Sequence, residues 1–277
     1  WWVSRPSVKE AIILKDEQIV FLRKAARRTW AFFETFVVSE DNWLPPDNYQ
    51  EHPGSVIAHR TSPTNIGLAL LSNLSAYDFG YITAGELIAR TANTFDTMEK
   101  LDRHRGHFYN WYDTQSLRTL PPHYISTVDS GNLGGSLLTL RQGLMDLPDG
   151  NLSGNRLAEG LADTYRVLKD IAGNASKNEW TELEKHLDSP SAFQGATVND
   201  LWLRLDMLIQ SASMLAESLA AGPQSHAYGW AQSLVHQCRD AADELITFCP
   251  WVTLTGPSDR VVRFFEEIGI PTLRDVS

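Results

Sequence analysis

Aromatic rings, hydroxyls and carboxylates collect in two stretches of this chain, the mixture that carbohydrate recognition uses: apolar walls with a few polar anchors. The first runs from Asp41 to Arg60 and contains Trp43, Asp47, Tyr49, Glu51 and His59. The second runs from His104 to Tyr124 around Phe108-Tyr109-Asn110-Trp111-Tyr112-Asp113, and leads into Ser126-Thr127-Val128-Asp129-Ser130-Gly131-Asn132. Glycoside chemistry needs two carboxyl groups about 5 to 9 Å apart, one as acid and one as base or nucleophile. Asp113 and Asp129 are the candidates for such a role, with Asp47 and Glu51 in the first stretch. Each also reads as a helix cap or a sugar-hydroxyl acceptor, and capping alone accounts for Asp129.

Other chemistries find less support. His52, His59, His104, His107 and His123 lie close in sequence, but none has a metal-ligand spacing, so no metal and no cofactor is expected. His59, beside Arg60, reads as a hydrogen-bonding residue of the site. No phosphate-binding glycine loop and no nucleophile elbow occurs.

The elements that must position these stretches are helical. Ile19, Val20, Leu22, Ala26, Trp30, Phe33 and Phe36 recur at three- and four-residue steps, predicting a helix from Asp16, its cap, to about Val38. Arg23, Lys24, Arg27 and Arg28 then form a solvated basic face. Ser62 followed by Pro63 starts a helix buried on most sides, and Thr83-Ala84-Gly85-Glu86 is a capping box for an outer helix. That outer helix turns Leu87, Thr91, Phe95 and Met98 inward, and Arg90, Glu99 and Lys100 outward. A further apolar helix opens near Ser130, where Gly131, Gly134 and Gly135 imply close packing or close ligand approach.

Trp43 and Trp111 lie 68 residues apart, and Thr61 and Ser126 lie 65 apart. The two stretches therefore read as one unit used twice: aromatic loop, hydroxyl-rich helix start, buried helix and, in the first unit at least, an exposed helix. Such units build α/α toroids, whose inner-helix N-termini line a cleft. The expected fold is all-α, a partial α/α toroid of inner and outer helix hairpins, with a decorated helix bundle as the alternative. Helices at Asn155–Ala172, Asn199–Leu219 and Tyr228–Phe248, joined by turns at Ser189-Pro190-Ser191 and Ala221-Gly222-Pro223, form an added lobe with Trp202, Trp230 and Trp251 in its core.

Composition narrows the partners. The 277 residues are 43% hydrophobic and 21% charged, as in an ordinary globular protein. A net charge of −10 leaves no basic stripe for nucleic acid, while 9 Trp, 8 Tyr and 11 Phe leave rings to spare for sugars. Cys238 and Cys249 form no framework, which favours a reducing compartment. No run of about twenty apolar residues spans a bilayer. Trp1-Trp2-Val3-Ser4-Arg5-Pro6 reads as the point where a chain leaves a membrane, or as an arbitrary boundary.

Two long strings carry a resemblance. Asn42 to Pro53 with Ala58 to Leu68, and Phe108 to Thr114 with Tyr124 to Leu133, resemble cyclic β-1,2-glucan synthases. The likeness spans about residues 16 to 145 and is loose beyond. It implies a large bacterial inner-membrane protein in which a glycosyltransferase domain extends the glucan, a central glycoamylase-like toroid closes the ring by retaining transglycosylation, and a phosphorylase domain controls length. This chain resembles the front half of the central domain, facing the cytoplasm, with other domains of the same polypeptide as partners and membrane contact only through segments outside it. The family's later motifs, which hold the Glu residues expected to be catalytic, do not appear, so the isolated chain is expected to be inactive.

On that reading residues 1–15 link to a membrane segment, 16–150 begin the toroid and 151–277 form the lobe or an insertion. Trp111 and Tyr112 would stack on glucose rings, as would Trp43 and Tyr49. Arg60, Ser62, Asn65, Asp113, Asp129 and Asn132 would hydrogen-bond its hydroxyls. A β-1,2-glucan hydrolase, or a module that only binds or scaffolds glucan, are the alternatives.

Overall fold

The computed structural model describes residues 13–150, 155–173, 177–187, 197–220, 225–253 and 272–274. Trp1 to Pro6 and the two turns at Ser189-Pro190-Ser191 and Ala221-Gly222-Pro223 lie outside these residues. The fold is all-α, with three two-stranded ribbons confined to the loops.

The chain begins with α1 (Asp16–Phe36), whose N-cap is Lys15, so Asp16 is the first helical residue and not the cap. Gln18 Oε1 accepts the Lys15 N–H at 2.9 Å. Two more long helices, α2 (Pro63–Asp78) and α4 (Thr127–Asp146), follow, with α3 (Ala84–Lys100) between them in sequence. Ser62 caps α2 by accepting the Asn65 N–H at 3.2 Å, with Pro63 supplying a preset φ at the first position. Ser126, not Asp129, caps α4 by accepting the Asp129 N–H at 3.1 Å.

α2 and α4 run parallel and in register. Thr64 meets Asp129 and Asn132, Gly67 meets Leu133 and Ser136, and Leu74 meets Gly143. A Cβ at Gly67 would sit 2.8 Å from Ser136 Oγ, so this crossing needs glycine. Gly131, Gly134 and Gly135 behave otherwise. A Cβ on any of them would meet no atom within 4 Å, because they lie on the exposed face of α4. Close packing is therefore not their role among the described residues.

Two basic residues expected at the surface are buried. The Arg27 side chain is 1% exposed: its Nε donates to Thr164 at 2.7 Å and its guanidinium pairs with Glu34. Arg23 pairs with Asp163 and Glu159, and Lys24 with Asp170, so α1 lays its basic face on α5 (Asn155–Ala172). Of that basic run Arg28 stays exposed, and so do Ile19 and Leu22, which the periodicity turned inward. Arg90 of α3 is likewise buried. Its Nη2 donates to the Phe33 and Val37 carbonyls, closing the C-terminal end of α1, and it stacks on Trp30 and Trp43.

Thr83 caps α3 by accepting the Glu86 N–H, but Glu86 turns toward Arg90 at 3.8 Å and does not complete the capping box. Glu244 instead accepts the Gly85 N–H at 2.7 Å. Glu244 belongs to α8 (Ser225–Phe248), which packs with α5, α6 (Lys177–Leu187) and α7 (Val198–Ala220) around a separate apolar core. α6 has no counterpart among the expected helices, while Trp202, Trp230 and Trp251 pack against this core as expected. The free thiols of Cys238 and Cys249 are buried in it.

The helical lobe docks tightly on the turn between α2 and α3. A Cβ on Gly160 would lie 2.1 Å from the Gly80 carbonyl oxygen, and Gly80 itself has φ +77°. Gln237 Nε2 donates to that same carbonyl at 2.7 Å.

Candidate functional site

Both aromatic stretches gather at the N-terminal ends of α2 and α4. The first contains β1 (Tyr49–Gln50), paired antiparallel with β2 (Val56–Ile57), and β3 (Arg60–Thr61). The second contains β4 (Arg103–His104), paired with β5 (His107–Phe108), and β6 (Tyr112–Asp113). β3 pairs antiparallel with β6, setting Arg60 opposite Asp113 and Thr61 opposite Tyr112. That ribbon fuses the two loops into one surface.

A buried tie fixes them further. Asp41 Oδ1 accepts from His59 Nδ1–H at 2.7 Å and from the Thr114 hydroxyl. Asn42 Nδ2 donates to the Thr114 and Gln115 carbonyls. Neither Asp41 nor Thr114 was legible as a site residue, because each acts through a partner far along the chain.

The polar groups form two connected chains. In one, Asp47 accepts from Arg60 Nη2 at 2.9 Å, from Asn65 Nδ2 at 3.2 Å and from Asn48 Nδ2 at 3.2 Å. The Arg60 guanidinium lies 4.6 Å from the centroid of the half-exposed Trp111 ring. In the other, the Thr64 hydroxyl donates to Asp129 at 2.6 Å and accepts from Asn132 Nδ2 at 3.1 Å. The buried Asn110 amide, oriented so that its neighbours are satisfied, accepts from Trp111 Nε1 and Tyr124 Oη at 2.7 Å each and donates to Asp129 Oδ2 at 3.0 Å. Both chains reach Trp111.

Two expected sugar contacts, Tyr112 and Ser62, are buried, while Trp43 and Tyr49 keep part of their surface. Tyr112 is 0% exposed; its hydroxyl donates to the Asp102 carbonyl at 2.6 Å and accepts the Tyr109 N–H at 2.7 Å. A ring with no accessible face cannot stack on glucose, so Tyr112 belongs to the core, where burial pushes its phenol up to about 12. Ser62 is buried and spends its hydroxyl as a helix cap. Trp43 packs on Arg90, and its carbonyl accepts from the Thr94 hydroxyl, anchoring the first loop to α3. Tyr49 is half-buried with its ring 4.8 Å from Phe36 and its hydroxyl on Ser55. Arg60, Asn65, Trp111, Asp113, Asp129 and Asn132 all retain accessible surface at this end of the helices.

The two carboxylates of interest are both held ionised. Hydrogen bonds from the Ser116 backbone, its hydroxyl and the Gln115 backbone keep Asp113 below the usual carboxylate range. Partial burial opposes ionisation of Asp129, but hydrogen bonds from Ser126 and Thr64 outweigh it and hold this group low as well. A general acid for glycoside cleavage needs the opposite shift. Among the described residues, no three His, Cys, Asp or Glu side chains are grouped to hold a metal, and no helix is long and apolar enough to cross a membrane.

No family model matches the chain. A curated protein, the cyclic beta-(1,2)-glucan synthase NdvB of Rhizobium meliloti (strain 1021), is 43% identical to it over 174 residues. The match takes in 61% of this chain but 6% of that protein, so the chain spans a small fraction of its relative. The resemblance read from the two strings is thus met by a curated glucan synthase. Among solved structures, a protein of Bacteroides fragilis NCTC 9343 described as a glucoamylase aligns over 69% of this chain and 39% of its own. At 18% identity and a TM-score of 0.33, that likeness is too loose to support an argument.

Proposed function

We propose that this chain is part of a glucan-processing protein and binds β-1,2-glucan at the N-terminal ends of α2 and α4. One observation carries the reading. The half-exposed Trp111 ring is held between Arg60 and Asn110 and is flanked by the polar groups Asn65, Asp113, Asp129 and Asn132. A pyranose offers an apolar face and a ring of hydroxyls, which is what such a surface complements. The 43% identity to a cyclic β-1,2-glucan synthase supports β-1,2-glucan as the polymer.

In the complete polypeptide this region would contribute binding surface to a retaining transglycosylase that closes the glucan ring, beside other domains on the cytoplasmic side of a membrane. The residues described here bind and orient; the catalytic acid lies in another segment. The low-held carboxyls of Asp113 and Asp129 suit acceptors of sugar hydroxyls and not the acid of a catalytic pair.

Incubating the purified chain with linear β-1,2-glucan tests the division. Saturable binding without new oligosaccharides or rings on chromatography is expected. Turnover that disappears in Asp113→Asn or Asp129→Asn would contradict it and place the chemistry in these residues.

A further inference from the structure

We infer that Asn110 is the positioning residue of the glucan surface: its buried amide sets the Trp111 ring and the Asp129 carboxylate in one fixed relation. The inference rests on the glucan-binding reading above.

Asn110 is 5% exposed and ties the second loop to the start of α4. Its Oδ1 accepts from Trp111 Nε1 and from Tyr124 Oη, both at 2.7 Å, so both lone pairs are used. Its Nδ2 donates to Asp129 Oδ2 at 3.0 Å. The backbone is pinned too, the Asn110 N–H donating to the Tyr124 carbonyl at 2.9 Å. An amide can accept at one end and donate at the other; a carboxylate cannot donate, and a serine hydroxyl is too short to span the same partners.

The consequence is geometric. A tryptophan in a polar loop would otherwise turn about two side-chain torsions, and a platform that moves loses binding energy to ordering. Here the indole edge is tied inward to Asn110, while Arg60 covers one ring face at 4.6 Å. Asp129 in turn accepts from Thr64, which accepts from Asn132. A single amide thereby joins the aromatic platform of one loop to the polar N-termini of both α2 and α4.

Three variants and one signal test this. The Trp111 indole proton, assigned by its loss from the NMR spectrum of Trp111→Phe, should exchange slowly with solvent in the unliganded wild type. Asn110→Ala should speed that exchange and weaken binding of a β-1,2-linked glucose oligosaccharide about tenfold or more. Asn110→Asp keeps the shape and the acceptor, so the indole proton should stay protected. It places a second carboxylate against Asp129, however, and binding should again fall about tenfold. That split between an intact indole contact and lost affinity is one a purely structural residue would not produce.

An indole proton that exchanges freely in the wild type overturns the inference, as does Asn110→Asp binding within twofold of wild type. If Trp111→Phe weakens binding and neither Asn110 variant does, this inference falls and the glucan reading stands. If the wild type binds no β-1,2-linked oligosaccharide, both fall.

Discussion

Two adjacent aromatic residues in the second loop have opposite fates, and hydrogen bonding decides which. Trp111 carries one polar atom, which Asn110 satisfies from the side, leaving ring surface accessible. Tyr112 carries its hydroxyl at the tip, and that tip is drawn inward by the Asp102 carbonyl and the Tyr109 N–H. Strand alternation on β6 does the rest, since Tyr112 pairs with the buried Thr61 while Asp113 pairs with the exposed Arg60. Tyr112→Phe should therefore cost stability, about 1 to 2 kcal/mol by urea denaturation, because it strips partners from two backbone groups. Glucan affinity should stay within about twofold. A stable variant that loses affinity would return Tyr112 to the binding surface.

The helices themselves were legible from apolar spacing and capping residues: α5 matches its expected span of Asn155–Ala172, and α2 begins at the Ser62-Pro63 signal. What periodicity could not reveal was which charges find partners. Arg23 lies 140 residues from Asp163, and nothing local to α1 announces that α5 will present carboxylates to it. A charged stripe therefore read as solvated when it is an interface. Asn110 gives no local signal for a similar reason: its partner Asp129 comes from another element, the start of α4.

A related interface makes α3 sensitive to pH. Burial pushes the Glu86 carboxyl up to about 7; Arg90 opposes this, while Asp240, Glu34 and Glu244 reinforce it. A raised carboxyl favours the protonated folded state, so its contribution is fully present below the unfolded value near 4.5 and is lost as pH rises through 7. About a third of the Glu86 side chain, 33%, meets solvent, and water screens the effect. Glu86→Gln should accordingly gain about 1 kcal/mol at pH 8 and nothing near pH 4, read from denaturation at both values. Equal stability of the two proteins across that range would contradict this account.

At the scale of the whole molecule, the parallel pair α2 and α4 covers one side of α4 and leaves the other open. Val128 at 69% and Leu138 at 72% exposure line that open face together with Met145 and the three uncrowded glycines. A long apolar face beside small residues invites another helix. The isolated chain should therefore self-associate with rising concentration in sedimentation experiments, and Leu138→Lys should reduce that association. A wild-type chain that remains monomeric at about 100 μM would argue against it.

The repeat that the sequence spacing suggested is physical in one respect: its two loops and two helix starts meet in one surface with Trp111 at the junction. Whether that surface binds glucan is best measured by calorimetric titration of the wild type and of Trp111→Ala with β-1,2-linked glucose oligosaccharides, with α-1,4-linked oligosaccharides as control. The account predicts saturable binding of the β-1,2-linked ligand alone by the wild type. Trp111→Ala should weaken it about tenfold or more, with loss of stability of about 1 to 2 kcal/mol, because the ring lies outside the apolar clusters but its Nε1–H serves the buried Asn110 amide. Wild-type protein that binds neither ligand, or a folded Trp111→Ala variant that binds as tightly as wild type, would contradict it.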